Sequence, residues 1–416
     1  MTEIRTLKNG VKIIMEDLPY LQSVAVGLWF KTGSADETDD ISGISHFIEH
    51  MMFKGTENRT AKDIAGDIDK IGGQFNAFTS KEYTCYYVKT ISDNYKKAAD
   101  VLVDMMTNSL FDDEEMNRER KVILEEIKMS NDSPDDYAHD KAMELVFKGT
   151  PYSKPIIGTP ESLADMDSKA IKKYIKEQYT RDSLVISVAG NFDKEDVCRY
   201  FENKFTSLTE SKAKRITQKE PYKPAYQVLV KDIEQSHIFL INRNINVEDK
   251  RYYPLSIVNN ALGGSMSSRL FQNIRERKGL AYSVFSAFSS MSDDGYFMMY
   301  AGVSHDKIAD AINGIKEELQ ILARDGITQE ELDSSKEQIK SAYAFEQENV
   351  NARMMKNGKN LTLYGHVFDQ NQVLKDYDAV TLESCREAAK LICDIDTYTA
   401  VVCTNKDFDL EAIVRK

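Results

Sequence analysis

Apolar residues in the first half of the chain follow both the two-residue period of strands and the helical period. Residues 4–7 and 11–15 alternate around an Asn9-Gly10 turn and predict a β-hairpin, and the branched residues of 24–30 predict a third strand. An acidic loop at 36–40 precedes a predicted helix that carries two histidines. The pattern then predicts helices over 63–71, 95–107 and 113–129 and strands over 74–79, 83–90 and 183–189.

The second half of the chain repeats this order of patterns. The clearest match is between residues 112–116 and 328–332, since each segment opens a long helix. Residues 236–241, 253–262, 297–303 and 306–322 parallel 24–30, the histidine helix, 83–90 and 95–107. We therefore predict an α+β fold of two homologous halves, each a mostly antiparallel β-sheet packed with helices. The predicted halves are 1–210 and 226–416, joined by a polar, lysine-rich linker at 211–225.

Composition and charge narrow the classes of function. The 416-residue chain has a formal net charge of −13, which argues against nucleic acid as the main partner, because phosphate binding needs a basic surface. Its five cysteines form no Cys-x-x-Cys pair, which favours a reducing compartment over a disulfide framework. No stretch reaches the roughly 18 apolar residues of a membrane helix. We expect a cytoplasmic protein that binds neither nucleic acid nor a membrane.

Two of the six histidines lie four residues apart, in the segment 43–52. On a helix, His46 and His50 project from one face about 40° apart, and Glu49 lies about 60° to the other side of His46. Two imidazoles on one face can occupy two corners of a zinc tetrahedron, with the carboxylate beside the remaining position. The order H-x-x-E-H is the inverse of the commoner H-E-x-x-H motif. A chance arrangement on a polar helix face is the alternative, so a third ligand is needed.

The helix predicted over 113–129 offers that third ligand. Glu119 and Glu126, seven residues apart, fall within an apolar arc that also contains Ile123, whereas Glu125 points the opposite way. Carboxylates within a buried stripe are costly unless they are paired or bind a metal. Neutralisation by a basic residue is the other explanation, and the helical wheel alone leaves it open.

Longer runs around these residues resemble a known family. Residues 46–56 resemble the active-site motif of the pitrilysin/insulinase metallopeptidases, most closely the two-domain, bacterial-type branch related to mitochondrial processing peptidase, and 119–126 resemble the second motif of the family. The resemblance implies one Zn²⁺ per chain with three protein ligands: His46, His50 and Glu126. It also implies that Glu49 is the catalytic base and that Glu119 supports the catalytic site.

The resemblance extends to segments that bind substrate in the family. Residues 72–80 resemble an edge strand that pairs with an extended peptide by β-augmentation, which implies two peptide-binding residues: Asn76 and Ala77. In the second half, Arg275 and Tyr282 stand where the family has an Arg/Tyr pair that contacts substrate near the zinc.

The function implied is that of a zinc-dependent endopeptidase acting on peptides or unfolded polypeptide segments. Glu49 would take a proton from the attacking water and deliver it to the leaving amine. Four-domain relatives enclose a substrate between two units, each of which corresponds to one chain of this length. The resemblance therefore implies a homodimer that forms a clamshell. Arg275 and Tyr282 would then act on the zinc of the same chain or on that of its partner.

Two other functions stay open at this level. One is a non-catalytic peptide-binding or scaffold subunit of a processing-peptidase-like complex, since the family includes inactive partners that lack a ligand or the base. The other is a structural zinc site, which is disfavoured because Glu49 would be idle beside an open metal position. In the second half, Leu255 and Asn259 fall opposite the two histidines, so only the first half carries the metal chemistry.

Overall fold

A computed structural model describes residues 2–210 and 221–415, which form two compact units. Unit 1 comprises Met1–Ile127, Lys154–Thr217 and Tyr343–Phe368, and unit 2 comprises Lys128–Ser153, Gln218–Ala342 and Asp369–Lys416. Each unit combines one mixed sheet with helices, so the predicted α+β class is confirmed. Of the linker predicted at 211–225, residues 211–220 lie outside the described residues.

The described α-helices range from 5 to 20 residues in length. In chain order they are α1 (Ile44–Met52), α2 (Ala61–Lys70), α3 (Tyr95–Asn108), α4 (Asp113–Asp132), α5 (Pro134–Val146), α6 (Pro160–Ala164), α7 (Ser168–Gln178), α8 (Lys194–Glu202), α9 (Tyr252–Asn259), α10 (Ile308–Asp325), α11 (Gln329–Glu348), α12 (Val350–Tyr364), α13 (Gln370–Asp378), α14 (Leu382–Ala389) and α15 (Leu410–Arg415). Two π-helical segments, Asn260–Gly264 and Phe271–Arg277, follow α9. No helix in the described part of the chain is both long and apolar enough to cross a membrane.

Unit 1 is built on a six-stranded sheet. Its strands are β1 (Thr2–Thr6), β2 (Lys12–Asp17), β3 (Ser23–Phe30), β4 (Gln74–Thr79), β5 (Thr84–Ile91) and β6 (Leu184–Gly190). The strand order is β1-β2-β6-β3-β5-β4, so β4 lies at one edge. The β2/β6 pair is parallel and every other pair in this sheet is antiparallel.

Unit 2 is built on a five-stranded sheet with the same plan. Its strands are β7 (Tyr226–Val230), β8 (Ser236–Asn244), β9 (Ala281–Ser290), β10 (Gly295–Val303) and β11 (Thr399–Thr404), in the order β7-β11-β8-β10-β9. The parallel pair is β7/β11, and the other pairs are antiparallel. Apart from β1, this order matches that of the first sheet strand for strand. The strand order therefore agrees with the internal repeat that the sequence predicts.

Each sheet is covered on one face by a helix from the other half of the chain. In unit 1, α12 crosses β2, β3 and β6 and packs Met354 against the buried Trp29 of β3. In unit 2, α5 packs across β8 and β11. The compact units are thus not contiguous halves of the sequence, because a helical segment of each half completes the core of the other.

The local sequence explains where the helices near the site begin. Thr60 and Asp63 form a capping box at the start of α2, in which Thr60 Oγ1 accepts from the Asp63 N–H at 3.2 Å. α1 begins after Gly43, whose φ of 91° favours glycine. A Cβ at Gly43 would also lie 2.7 Å from the Cα of Gly158. Glycine at this position allows the start of α1 to lie directly against a neighbouring loop.

Candidate metal centre

Two histidines of α1 and one glutamate of α4 converge in unit 1. His46 Nε2 lies 3.8 Å, and His50 Nε2 3.5 Å, from the same carboxylate oxygen of Glu126, and the two imidazole rings are 4.6 Å apart. One ligand atom from each residue lies within 4.8 Å of the others. Among the described residues this is the only group of three metal-binding side chains so close together. Two imidazole nitrogens and a carboxylate oxygen are a ligand set that suits zinc.

A second glutamate of α4 fixes the orientation of His50. Glu119 Oε2 lies 3.1 Å from His50 Nδ1, and because a carboxylate only accepts, Nδ1 carries the proton. The lone pair of Nε2 is then free to face Glu126, as a metal ligand requires. The other oxygen of Glu119 forms an ion pair with Lys54 Nζ at 2.6 Å. Glu119 is buried and therefore needs partners for its oxygens, and these two contacts supply one for each.

The carboxylate of Glu49 contacts the edge strand of the same unit. Thr79, the last residue of β4, donates a hydrogen bond from Oγ1 to Glu49 Oε2 at 2.6 Å. Burial raises the pKa of Glu49, and the hydrogen bond from Thr79 acts in the opposite direction. A raised carboxyl pKa suits a group that must both accept and release a proton near neutral pH.

Burial also sets the protonation state of His46. It lowers the pKa of His46 to about 4, and the neighbouring His50 adds to the effect. A neutral imidazole is the form that binds a metal ion. The chemistry of the ligand atoms and the protonation state of His46 therefore both fit a bound zinc ion.

The start of α1 is held by a buried carboxylate that the sequence reasoning did not single out. Both oxygens of Glu37 accept backbone hydrogen bonds, from Gly43 N at 2.7 Å and from Ser45 N at 2.9 Å. Burial raises the pKa of Glu37 to about 7, although both hydrogen bonds oppose this shift. An acidic residue in the loop just before a helix is a recognisable capping signal, and it was available in the sequence at 36–40.

The predicted peptide-binding residues Asn76 and Ala77 lie in the middle of β4. Ala77 N–H donates to the side-chain Oδ1 of its neighbour Asn76 at 2.9 Å. Ala77 is opposite Tyr86 in the antiparallel register with β5, and β4 is an edge strand of the sheet. The predicted peptide-binding residues thus lie on an edge strand in the same unit as the histidine pair.

In unit 2, Arg275 lies within the second π-helical segment and Tyr282 lies at the start of β9. The Arg275 guanidinium lies 4.6 Å from the ring centre of Phe271 and 5.6 Å from that of Tyr282. Tyr282 is 78% exposed, an unusual state for so large a side chain. Turns of π-helix frequently occur at functional sites. Together the pair forms an exposed surface of a cation and a phenol in unit 2.

The helical wheel of α4 predicts the burial of Glu119 correctly and that of Glu126 incorrectly. It placed both glutamates in a buried arc, and the structure buries Glu119 but leaves the Glu126 side chain 40% exposed. Val122, which lies beside the two glutamates on the helical wheel, is exposed as well. The reason is that Glu126 faces the open metal-binding site and not the core. Glu125 is exposed, in agreement with the choice of Glu126 as the ligand.

Comparison with protein families gives two matches along the chain. A family model described as insulinase, peptidase family M16, matches residues 12–160. A second model, described as the peptidase M16 inactive domain, matches residues 165–339. The first match contains the histidine pair together with Glu119 and Glu126, and the second contains Arg275 and Tyr282.

Individual relatives cover nearly the whole chain. An uncharacterized zinc protease of Bacillus subtilis is 42% identical, with 95% of this chain and 97% of the relative aligned, and one of Rickettsia bellii is 36% identical over 97% of both. A crystal structure of a protease from Helicobacter pylori has a TM-score of 0.90 at 25% identity and covers 97% of this chain and 99% of its own. A Pseudomonas fluorescens structure described as a peptidase M16 inactive domain has a TM-score of 0.91 at 18% identity over 98% of both chains, which shows a shared fold.

Proposed function

The chain belongs to the insulinase family of peptidases, family M16, and on that premise we propose that it is a zinc endopeptidase with Glu49 as its catalytic base. The observation that carries the proposal is the convergence of His46, His50 and Glu126 within 4.8 Å, with Glu49 on the same helix. Relatives aligned over almost their whole length are named zinc proteases. When bound, one zinc ion per chain would supply a Lewis acid that lowers the pKa of water and polarises a carbonyl oxygen.

Three residues around the ligands would transfer the proton and position the reacting groups. Glu49 accepts a proton from the attacking water and returns it to the nitrogen of the leaving amine. Thr79 holds the Glu49 carboxylate through a 2.6 Å hydrogen bond and so fixes its direction. Glu119 keeps His50 in the tautomer that presents Nε2.

Substrate binding is assigned to the edge of the unit 1 sheet. An extended peptide would pair with the edge strand β4, and the N–H of Ala77 would serve as a main-chain donor once the side chain of Asn76 releases it. Main-chain pairing of this kind accepts many sequences, which suits peptides or unfolded segments as substrates. Arg275 and Tyr282 are proposed to contact the substrate from unit 2, on the strength of the family resemblance. The homodimer expected from the sequence stays a prediction.

The decisive experiment compares the unmodified protein with Glu49→Gln. Both are assayed for bound metal and for cleavage of a quenched-fluorescent peptide library. We expect near-equal zinc in both proteins and a loss of cleavage of at least about 10²-fold in the variant, because a positioned base contributes about 10² to 10⁴. A chelator should abolish the activity, and added zinc should restore it.

Two results would contradict the proposal. Absence of bound metal in the unmodified protein would remove its central element. Stoichiometric zinc without cleavage by either protein would favour the alternative of a non-catalytic peptide-binding subunit, and peptide binding by both proteins would then be the supporting observation.

A further inference from the structure

Lys54 occupies a defined position next to the candidate metal centre. It follows α1 directly, in a turn where its own N–H donates to the carbonyl of Met51 at 3.1 Å. The next residue, Gly55, has a φ of 121°, which only glycine adopts readily. The backbone thus turns sharply at Lys54, and its side chain extends to α4.

The contact that Lys54 makes differs from an ordinary surface ion pair. Its ammonium lies 2.6 Å from Glu119 Oε1, and the side chain of Glu119 is only 7% exposed. Exposed lysine–carboxylate pairs contribute little, because water satisfies both charges when they separate. Water does not reach Glu119 in this way, since a buried carboxylate that loses one partner keeps an uncompensated charge.

A line of three contacts connects Lys54 to the ligand set. Lys54 holds one oxygen of Glu119, the other oxygen holds His50 Nδ1, and His50 Nε2 faces Glu126. If the outer oxygen lost its cation, the carboxylate would be free to rotate away from His50. The imidazole would then lose the contact that fixes its tautomer and ring orientation.

We propose that Lys54 is a positioning residue of the metal centre, which acts on His50 through Glu119. This inference rests on the proposed function, since it concerns the same ligands. The cation also offsets one of the two carboxylate charges that lie close to His50. The ammonium of Lys54 contacts Glu119, so its effect on His50 passes through that carboxylate.

The first test measures zinc affinity by competition with a chromophoric chelator. Lys54→Met should weaken zinc binding about tenfold, the lower end of the effect of removing a partner of a ligating histidine. Lys54→Arg should restore most of the affinity, because it returns the positive charge. The control is Lys70→Met, which removes an exposed lysine–carboxylate pair with Asp67 on α2 and should leave affinity unchanged.

The second test asks whether Lys54 acts through Glu119. In a Glu119→Gln background, the further change Lys54→Met should have almost no effect on zinc affinity, as expected for two residues in one line of contacts. If Lys54→Met weakened zinc binding equally in both backgrounds, Lys54 would act independently and the proposal would be wrong.

A readout on the metal-free protein separates this inference from the proposed function. With only six histidines, ¹⁵N-histidine labelling resolves the tautomers, and His50→Gln identifies the signal of His50. We expect the Nδ1–H form of His50 in the unmodified protein and a gain of the Nε2–H form in Lys54→Met. An unchanged tautomer would refute the role of Lys54, even if zinc binding and cleavage were as proposed. Failure of the unmodified protein to bind zinc would instead refute the proposed function.

Discussion

Gly358 allows α12 to lie close against the sheet of unit 1, and its replacement by alanine tests that packing. A Cβ at this position would contact three atoms of the Trp29 indole: Nε1, Cε2 and Cδ1, the last at 2.7 Å. Real Cβ atoms essentially never approach so closely, and the indole is a rigid ring with 1% exposure. The tryptophan or the helix must therefore move.

Two opposing effects set the size of the change. Alanine is favoured over glycine within a helix by about 0.5–1 kcal/mol. Overpacking of a dense core costs about 1–3 kcal/mol, and here no single flexible side chain can yield. Overpacking therefore prevails, and Gly358→Ala should lower the free energy of unfolding of unit 1 by about 1–2 kcal/mol.

Trp29 is the only tryptophan of the chain, so its fluorescence reports on this contact during urea denaturation. The matched control is Gly66→Ala in α2, where an added Cβ meets no atom within 4 Å. That variant should gain about 0.5–1 kcal/mol from helix propensity alone and should leave the emission of Trp29 unchanged. A Gly358→Ala protein as stable as the parent would refute the claim that the helix needs glycine at this position.

Two further predictions concern protonation in unit 1. Thr79→Val removes the hydrogen bond that lowers the pKa of Glu49, so the acid limb of kcat/KM should move to higher pH; a profile identical to that of the parent would exclude the contact from catalysis. In the metal-free protein, the pKa of His46 falls to about 4, so its neutral form stabilises the fold above pH 6.5 and this contribution disappears as the pH falls from 6.5 to 4. This contribution amounts to at most about 3 kcal/mol. We therefore expect the free energy of unfolding to depend less on pH across that interval in His46→Gln than in the parent. The measurement is a urea titration with a chelator present.

Local patterns were sufficient to predict the elements that carry the site. A helix was predicted at the histidine pair, and α3, β4 and β5 were predicted within two residues of their observed bounds, because the apolar pattern that predicts each element lies within its own sequence. Spacing alone also brought His46, Glu49 and His50 to one helix, and the helical wheel chose Glu126 over Glu125.

Features that depend on distant parts of the chain escaped prediction. No helix was predicted at α5 or α12, since each is buried against a sheet of the other half and its own sequence does not reveal that partner. The hydrogen bond from Thr79 to Glu49 depends on the placement of β4 beside α1, which no spacing in the sequence encodes. Predictions from periodicity thus succeed within an element and fail where tertiary contacts determine the outcome.

The exchange of helices between the two halves of the sequence has a consequence for synthesis on the ribosome. The last strand of the first sheet, β6, ends at Gly190, whereas α12 begins at Val350, so about 160 residues are translated between them. At a translation rate of about 5–20 residues per second, the sheet face that contains Trp29 remains without α12 for roughly 10–30 s. During that interval the nascent chain presents an apolar sheet surface, which is the kind of surface that chaperones bind and that drives aggregation. Unit 1 therefore cannot finish folding as it emerges, and it is complete only when most of the chain has been made.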